Sequence, residues 1–183
     1  MNITVYLASS SGNNPNFSEK AAELGAWIAK NGHTLVYGGS NCGLMGILAT
    51  SVLDNGGEVI GVEPQFFIDL GKYYDRVKNL IVTETMAERR TKMIELGDAF
   101  IAFPGGTGTL EEISEVMSKT ALPGTPNYTP APCILYNVDG FWNPLKTLLD
   151  NMRSADFTDN ERLKGIEFAE NIEDIKEILG GDV

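Results

Sequence analysis

Twice in this chain a short apolar run opens into a glycine-rich turn that leads at once into a helical pattern. No other feature constrains the fold as strongly. The run Asp98 to Phe103, bounded by Gly97 and Pro104, reads as a strand buried on both faces. Pro104-Gly105-Gly106-Thr107-Gly108-Thr109 follows it, and then a helix whose apolar stripe is Leu110, Ile113, Val116 and Met117. Upstream, Thr34 to Tyr37 gives way to Gly38-Gly39-Ser40-Asn41-Cys42-Gly43-Leu44-Met45-Gly46 and another helix. The alternation continues elsewhere, with strands at Ile3 to Ala8, Glu58 to Val62, Leu80 to Thr83, Cys133 to Tyr136 and Gly165 to Ala169. Helices are expected from about Asn16 to Lys30, Met86 to Gly97 and Asn143 to Met152, and after Asn171 as an N-cap. Strands that alternate with helices pair in parallel, because only a crossover returns the chain in the same direction. The expected fold is an α/β, doubly wound, mostly parallel sheet with helices on both faces, forming one domain over residues 1–183.

In such a sheet the strand-to-helix turns open on one edge, and ligands bind there. The three glycines at 105, 106 and 108 let a backbone approach a ligand, and the helix behind them offers free N–H groups, which together make an anion site. Just upstream, Thr85 and Glu88 have the spacing of a capping box and start the helix of Met86 to Gly97. Met86, Arg89, Arg90, Met93 and Leu96 share its inner side, while Glu88, Lys92 and Glu95 lie outside, with Glu88 and Lys92 spaced as an i,i+4 pair. Two arginines on an apolar face need acceptors, either a ligand or structural carboxylates, or they extend to water. Glu112 flanks the stripe of the following helix and is the better placed of the carboxylates there for a directed role. Its spacing from Thr109 also allows a plain capping box. Glu111 and Glu115 fall outside, with Glu115 and Lys119 as a surface pair.

A formal net charge of -11 and a pI near 4.5 argue against nucleic-acid or anionic-membrane binding as the main activity. No apolar run approaches the roughly 18 residues of a membrane span, and the amino terminus lacks a basic leader, so a cytoplasmic protein is expected. Cys42 and Cys133 have no CxxC spacing and His33, a turn residue, is the only histidine, which leaves neither a zinc cluster nor a histidine-based triad. Glu63 lies about 20 residues beyond Gly43, as the ribose-binding acid of a dinucleotide fold would, but the first strand-to-helix turn carries no GxG. Phe66, Phe67, Ile68 and Leu70 suggest a half-exposed helix over the site or a partner contact. The four prolines between Thr120 and Pro132 make a long loop, either a lid or an interface arm.

On these residues the chain resembles the LONELY GUY family of cytokinin riboside 5'-monophosphate phosphoribohydrolases. The likeness runs through Tyr37-Gly38-Gly39, Gly43-Leu44-Met45-Gly46, Val59-Ile60-Gly61-Val62 and Asn137-Val138-Asp139-Gly140-Phe141. Its most specific element is PGGxGTxxE, present unchanged as Pro104 to Glu112. The family's MHxRK stands here as Met86-Ala87-Glu88-Arg89-Arg90, with alanine for the histidine and arginine for the lysine. The resemblance implies a Rossmann-like homodimer that cleaves the N-glycosidic bond of a nucleoside 5'-monophosphate, with no cofactor and no metal. It places Arg89 and Glu112 at the catalytic positions. Gly105, Gly106, Thr107, Gly108 and Thr109 fall on the phosphate-contacting loop, and Met86, Arg90 and Gly39 complete the substrate-binding set. Glu112 is the expected base for the attacking water, and Arg89 either orients it or stabilises charge. The departures at Ala87 and Arg90 bear on substrate preference, and the alternative reading is a non-catalytic binder of a phosphorylated nucleotide. The family's other label, lysine decarboxylase, finds no support in Lys92 on the outer helix face.

Overall fold

The structure is a computed structural model that describes residues 1–120 and 131–180. Among the described residues seven strands form one sheet: β1 (Asn2–Tyr6), β2 (Thr34–Tyr37), β3 (Glu58–Pro64), β4 (Asn79–Thr83), β5 (Ala99–Ala102), β6 (Cys133–Tyr136) and β7 (Ile166–Ala169). Their order is β4-β3-β2-β1-β5-β6-β7, and every pairing is parallel. The direction of winding reverses between β1 and β5, so the crevice at the carboxyl ends of these two strands is the topological switch point.

The helices divide between the faces as the apolar patterns require. On one face α1 (Pro15–Lys30), α2 (Gly43–Asp54) and α7 (Ile172–Leu179) cover Ile3, Val5, Leu35 and Tyr37 with Leu24, Ile28, Leu48 and Ile175. On the other, α4 (Met86–Leu96), α5 (Thr107–Thr120) and α6 (Asn143–Ser154) cover Tyr6, Val36, Val62 and Leu135 with Met93, Ile113, Val116 and Leu145. Successive β1 side chains point to opposite faces, and Ile3 to Tyr6 are buried on both, as central parallel strands demand. Thr4 is tolerated inside because its hydroxyl donates to the Met93 carbonyl at 3.0 Å.

Caps fix the ends. Asn14 accepts from the Asn16 N–H ahead of Pro15, and Asn171 accepts from the N–H groups of Glu173 and Asp174. Helices α1 and α2 pack closely because Gly25 has no side chain: a Cβ there would lie 2.6 Å from the Leu48 carbonyl oxygen.

The Phe66 cluster forms a short, partly exposed helix, α3 (Gln65–Asp69), one of the two readings its sequence offered. Several other local expectations are corrected. Lys92 pairs with Glu95 at 3.1 Å rather than with Glu88, because the Glu88 carboxylate is engaged by the Glu84 N–H at 3.0 Å. Helix α5 begins at Thr107, so Thr109 sits inside its first turn, 3% exposed, and the proposed Thr109–Glu112 capping box does not form. Leu110 leaves the buried stripe and is 40% exposed. Most of the proline-rich loop, residues 121–130, lies outside the described residues.

Candidate functional site

Helix α4 enters the site from its capped end. Thr85 Oγ1 accepts from the Glu88 N–H at 3.1 Å, which aims the first turn so that Arg89 points beneath the sheet edge. Arg89 is 7% exposed. Its Nε donates to the Val62 carbonyl at 3.0 Å, and its Nη1 donates to Glu112 Oε1 at 2.6 Å. A Cβ at Gly38 would collide with the guanidinium, so the glycine that follows β2 gives the arginine its place. Glu112 rises from α5 with a side chain only 11% exposed, and burial pushes its carboxyl above the ordinary range while Arg89 pulls it back. The Tyr6 hydroxyl lies buried near this pair without a hydrogen-bond partner, and burial together with the Glu112 charge keeps it protonated.

Arg90 goes elsewhere. Its Nε donates to Glu115 at 3.0 Å and its Nη1 lies 3.3 Å from Glu111, on the outer side of α5. Glu115 also accepts from Lys119 at 2.8 Å, and these two hydrogen bonds, that from Lys119 foremost, hold its carboxyl below the usual range. The two neighbouring arginines therefore have different acceptors: Arg89 faces the cleft and Arg90 binds structural carboxylates.

The cleft measures about 670 Å³. It runs across the carboxyl ends of β5, β1, β2 and β3, from Gly106, Thr107, Gly108 and Thr109 past Arg89 and Glu112 to Ser40, Glu63 and Phe67. Gly106 and Gly108 line it, and neither has a left-handed φ. A Cβ at either would meet nothing within 4 Å. A side chain at either position would meet only open space, so no protein contact requires glycine there. Gly105 differs: a Cβ on it would strike the Thr109 hydroxyl, so it serves the turn. The first N–H of α5 to close a helical bond is that of Leu110, on the Gly106 carbonyl, which leaves those of Thr107, Gly108 and Thr109 without intrahelical acceptors.

Of the residues expected at the site, Met86, Arg89, Gly106, Thr107, Gly108, Thr109 and Glu112 line this cleft together. Gly39 stands behind it, with φ 80°, where its carbonyl accepts from the Tyr74 N–H at 2.8 Å. Gly105 faces a separate apolar groove of about 780 Å³ between α5 and α6, lined by Leu110, Met117, Leu148 and Met152 among others. Phe67 reaches the cleft, as a helix over the site would bring it, whereas sequence reasoning named no site role for Ser9, Ser10, Ser40 or Lys72 and weighed Glu63 only as a dinucleotide feature. Glu63 had a signal: it is the one charged residue after four apolar or glycine positions, Val59 to Val62, in a central strand.

A family model described as "Possible lysine decarboxylase" matches residues 45–179. A cytokinin riboside 5'-monophosphate phosphoribohydrolase of Rhodococcoides fascians is 39% identical over 150 residues, 81% of this chain and 74% of that protein. The Arabidopsis thaliana enzyme of the same name, LOG2, is 33% identical over 177 residues, 97% of this chain and 81% of that one. Among solved structures, the molybdenum cofactor carrier protein of Chlamydomonas reinhardtii superposes with a TM-score of 0.70, covering 97% of each chain at 21% identity, a likeness of fold alone. With most of its length matched by the family model and by these relatives, the chain belongs to the LONELY GUY family.

Proposed function

We propose that this chain hydrolyses the N-glycosidic bond of a nucleoside 5'-monophosphate, giving free base and ribose 5-phosphate. The carrying observation is the buried Arg89–Glu112 pair at 2.6 Å, set one helical turn inside a glycine loop with open space before it. A phosphate dianion at that loop accepts from the free N–H groups of Thr107, Gly108 and Thr109 and meets the positive end of α5. The ribose then extends toward Glu112. Departure of the base develops positive charge at C1' and the ring oxygen, which the Glu112 carboxylate stabilises while it takes a proton from the attacking water. Arg89 is the positioning partner: it fixes one carboxylate oxygen and lowers the Glu112 pKa against the effect of burial.

The names of the relatives support hydrolysis over the decarboxylation in the description of the family model. Lys92 is bonded to Glu95 on the outer face, and Lys72, at the cleft margin, stands 5.8 Å from the Phe67 ring centroid. The proposal includes a cytoplasmic homodimer, and light scattering giving a monomer mass would refute that part. The reaction is tested by incubating purified protein with AMP, other purine and pyrimidine monophosphates and isopentenyladenosine monophosphate. Free base and ribose 5-phosphate in equal amounts are expected, and no base released from any of them would overturn the reading.

A further inference from the structure

The cleft holds a second buried carboxyl that the reaction described so far does not use. Glu63, at the end of β3, is 3% exposed and lines the cleft. Its carboxyl makes no hydrogen bond and no ion pair among the described residues. Arg89, the nearest cation, is committed to Glu112 and to the Val62 carbonyl. A positive φ at Gly39 brings a bare α-carbon against Glu63, where a Cβ would lie 3.1 Å from its Cβ and 3.2 Å from its Oε2. The fold has therefore made room for a carboxyl that no protein group satisfies. A charged carboxylate so placed is costly, whereas a protonated one needs only an acceptor for its O–H.

Position supplies that acceptor. The sheet order places three strand intervals between the glycine loop at β5 and Glu63 at β3, roughly 14 Å at the usual spacing between strands. With phosphate at the loop and C1' beside Glu112, the base of a nucleoside monophosphate extends toward β2 and β3. We infer that Glu63 is the general acid of this site, giving its proton to a ring nitrogen of the departing base. This rests on the phosphoribohydrolase reading. In the step, the C1'–N bond breaks with its electron pair passing to the base, and the Glu63 proton goes to a base nitrogen. Water adds its oxygen to C1' and gives a proton to Glu112. Exchange with solvent then moves a proton back to Glu63 and off Glu112.

The groups around Glu63 are consistent with an acid that titrates near neutrality. Arg89 from α4 lowers its pKa, and burial raises it more, to about 7. Tyr37 of β2 and Tyr74 beyond α3 pack on its face of the sheet, and burial and the Glu63 charge raise the Tyr37 pKa. Lys72 and Cys42 stand at the margin, and Glu112 faces the same cleft from α5. An amine-bearing base, offering a ring nitrogen as acceptor, fits this neutral carboxyl better than one whose nearest ring nitrogen carries a hydrogen.

The test is Glu63→Gln assayed on AMP and on 4-nitrophenyl ribofuranoside 5-phosphate, whose leaving group departs without a proton. The variant is expected to lose about 100-fold or more in kcat on AMP and less than about 3-fold on the nitrophenyl substrate. In wild type, kcat/KM for AMP should fall as pH rises through about 7, a limb absent with the nitrophenyl substrate. Equal losses on both substrates, or no loss on either, overturn the acid role while leaving the phosphoribohydrolase reading in place. Wild type that cleaves neither substrate overturns both. Activity on the nitrophenyl substrate also shows that the variant is folded.

Discussion

The environment of Glu63 sets a stability effect that can be measured without any substrate. A carboxyl whose pKa moves from 4.5 in the unfolded chain to about 7 in the fold binds a proton more tightly when folded. Between those values the unfolded state holds fewer protons than the native state, so stability falls as pH rises. At about 1.4 kcal/mol per tenfold, the full effect is about 3 kcal/mol. Of this, about 2 kcal/mol should fall between pH 5.5 and pH 8.5, a range that avoids the pI near 4.5. Glu63→Gln removes the titrating group and keeps its size. Urea unfolding of both proteins at the two pH values isolates the contribution, because Glu112 and every other ionisable group cancel in the difference. The variant should gain about 2 kcal/mol on wild type between pH 5.5 and pH 8.5. A stability difference between the two proteins that changes by less than about 0.5 kcal/mol over that range would show that Glu63 ionises as it does in water, and the reasoning from its burial would fail.

Glu112→Gln keeps the hydrogen bond from Arg89 but abolishes the base; kcat should drop by about 100-fold to 10,000-fold while nucleotide binding, read by calorimetry, persists. Gly108→Ala enters space that nothing in the protein occupies, so its urea midpoint should equal or exceed that of wild type, while KM for AMP rises about tenfold, near 1.4 kcal/mol of lost binding. Among the described residues Arg90 forms ion pairs with Glu115 and the exposed Glu111 alone; for Arg90→Gln, stability should change by no more than about 1 kcal/mol and kcat by less than about 3-fold. A large kcat loss there would return Arg90 to the substrate site.

What could be read from the sequence follows from how local each cause is. The strand-and-helix alternation depends on side-chain period within a few residues, and the all-parallel sheet followed from it with boundaries shifted by one or two positions, as at β1 (Asn2–Tyr6) and α6 (Asn143–Ser154). The glycine loop, the arginine pair as a whole and the inward side of Glu112 were legible because the loop chemistry and the helix faces are local as well, while Arg89 was singled out only by the family resemblance. The division between Arg89 and Arg90 was not, since adjacent helix residues diverge by about 100° and what each meets is set by α5, more than 20 residues on. Nor was the start of α5 at Thr107. The spacing of Thr109 and Glu112 fits a cap, but Arg89 takes the Glu112 carboxylate that a capping box would have used. Glu63 was hardest, because the burial of a carboxyl at the end of β3 depends on Gly39 from β2, on the segment around Tyr74 and on Arg89 already being occupied. Those same three conditions leave the carboxyl facing the cleft with no protein partner among the described residues. The ion pair with Arg89 lowers the Glu112 pKa against the effect of burial, whereas at Glu63 burial outweighs Arg89 and raises the carboxyl to about 7. One buried guanidinium thus acts unequally on the two acids of the site.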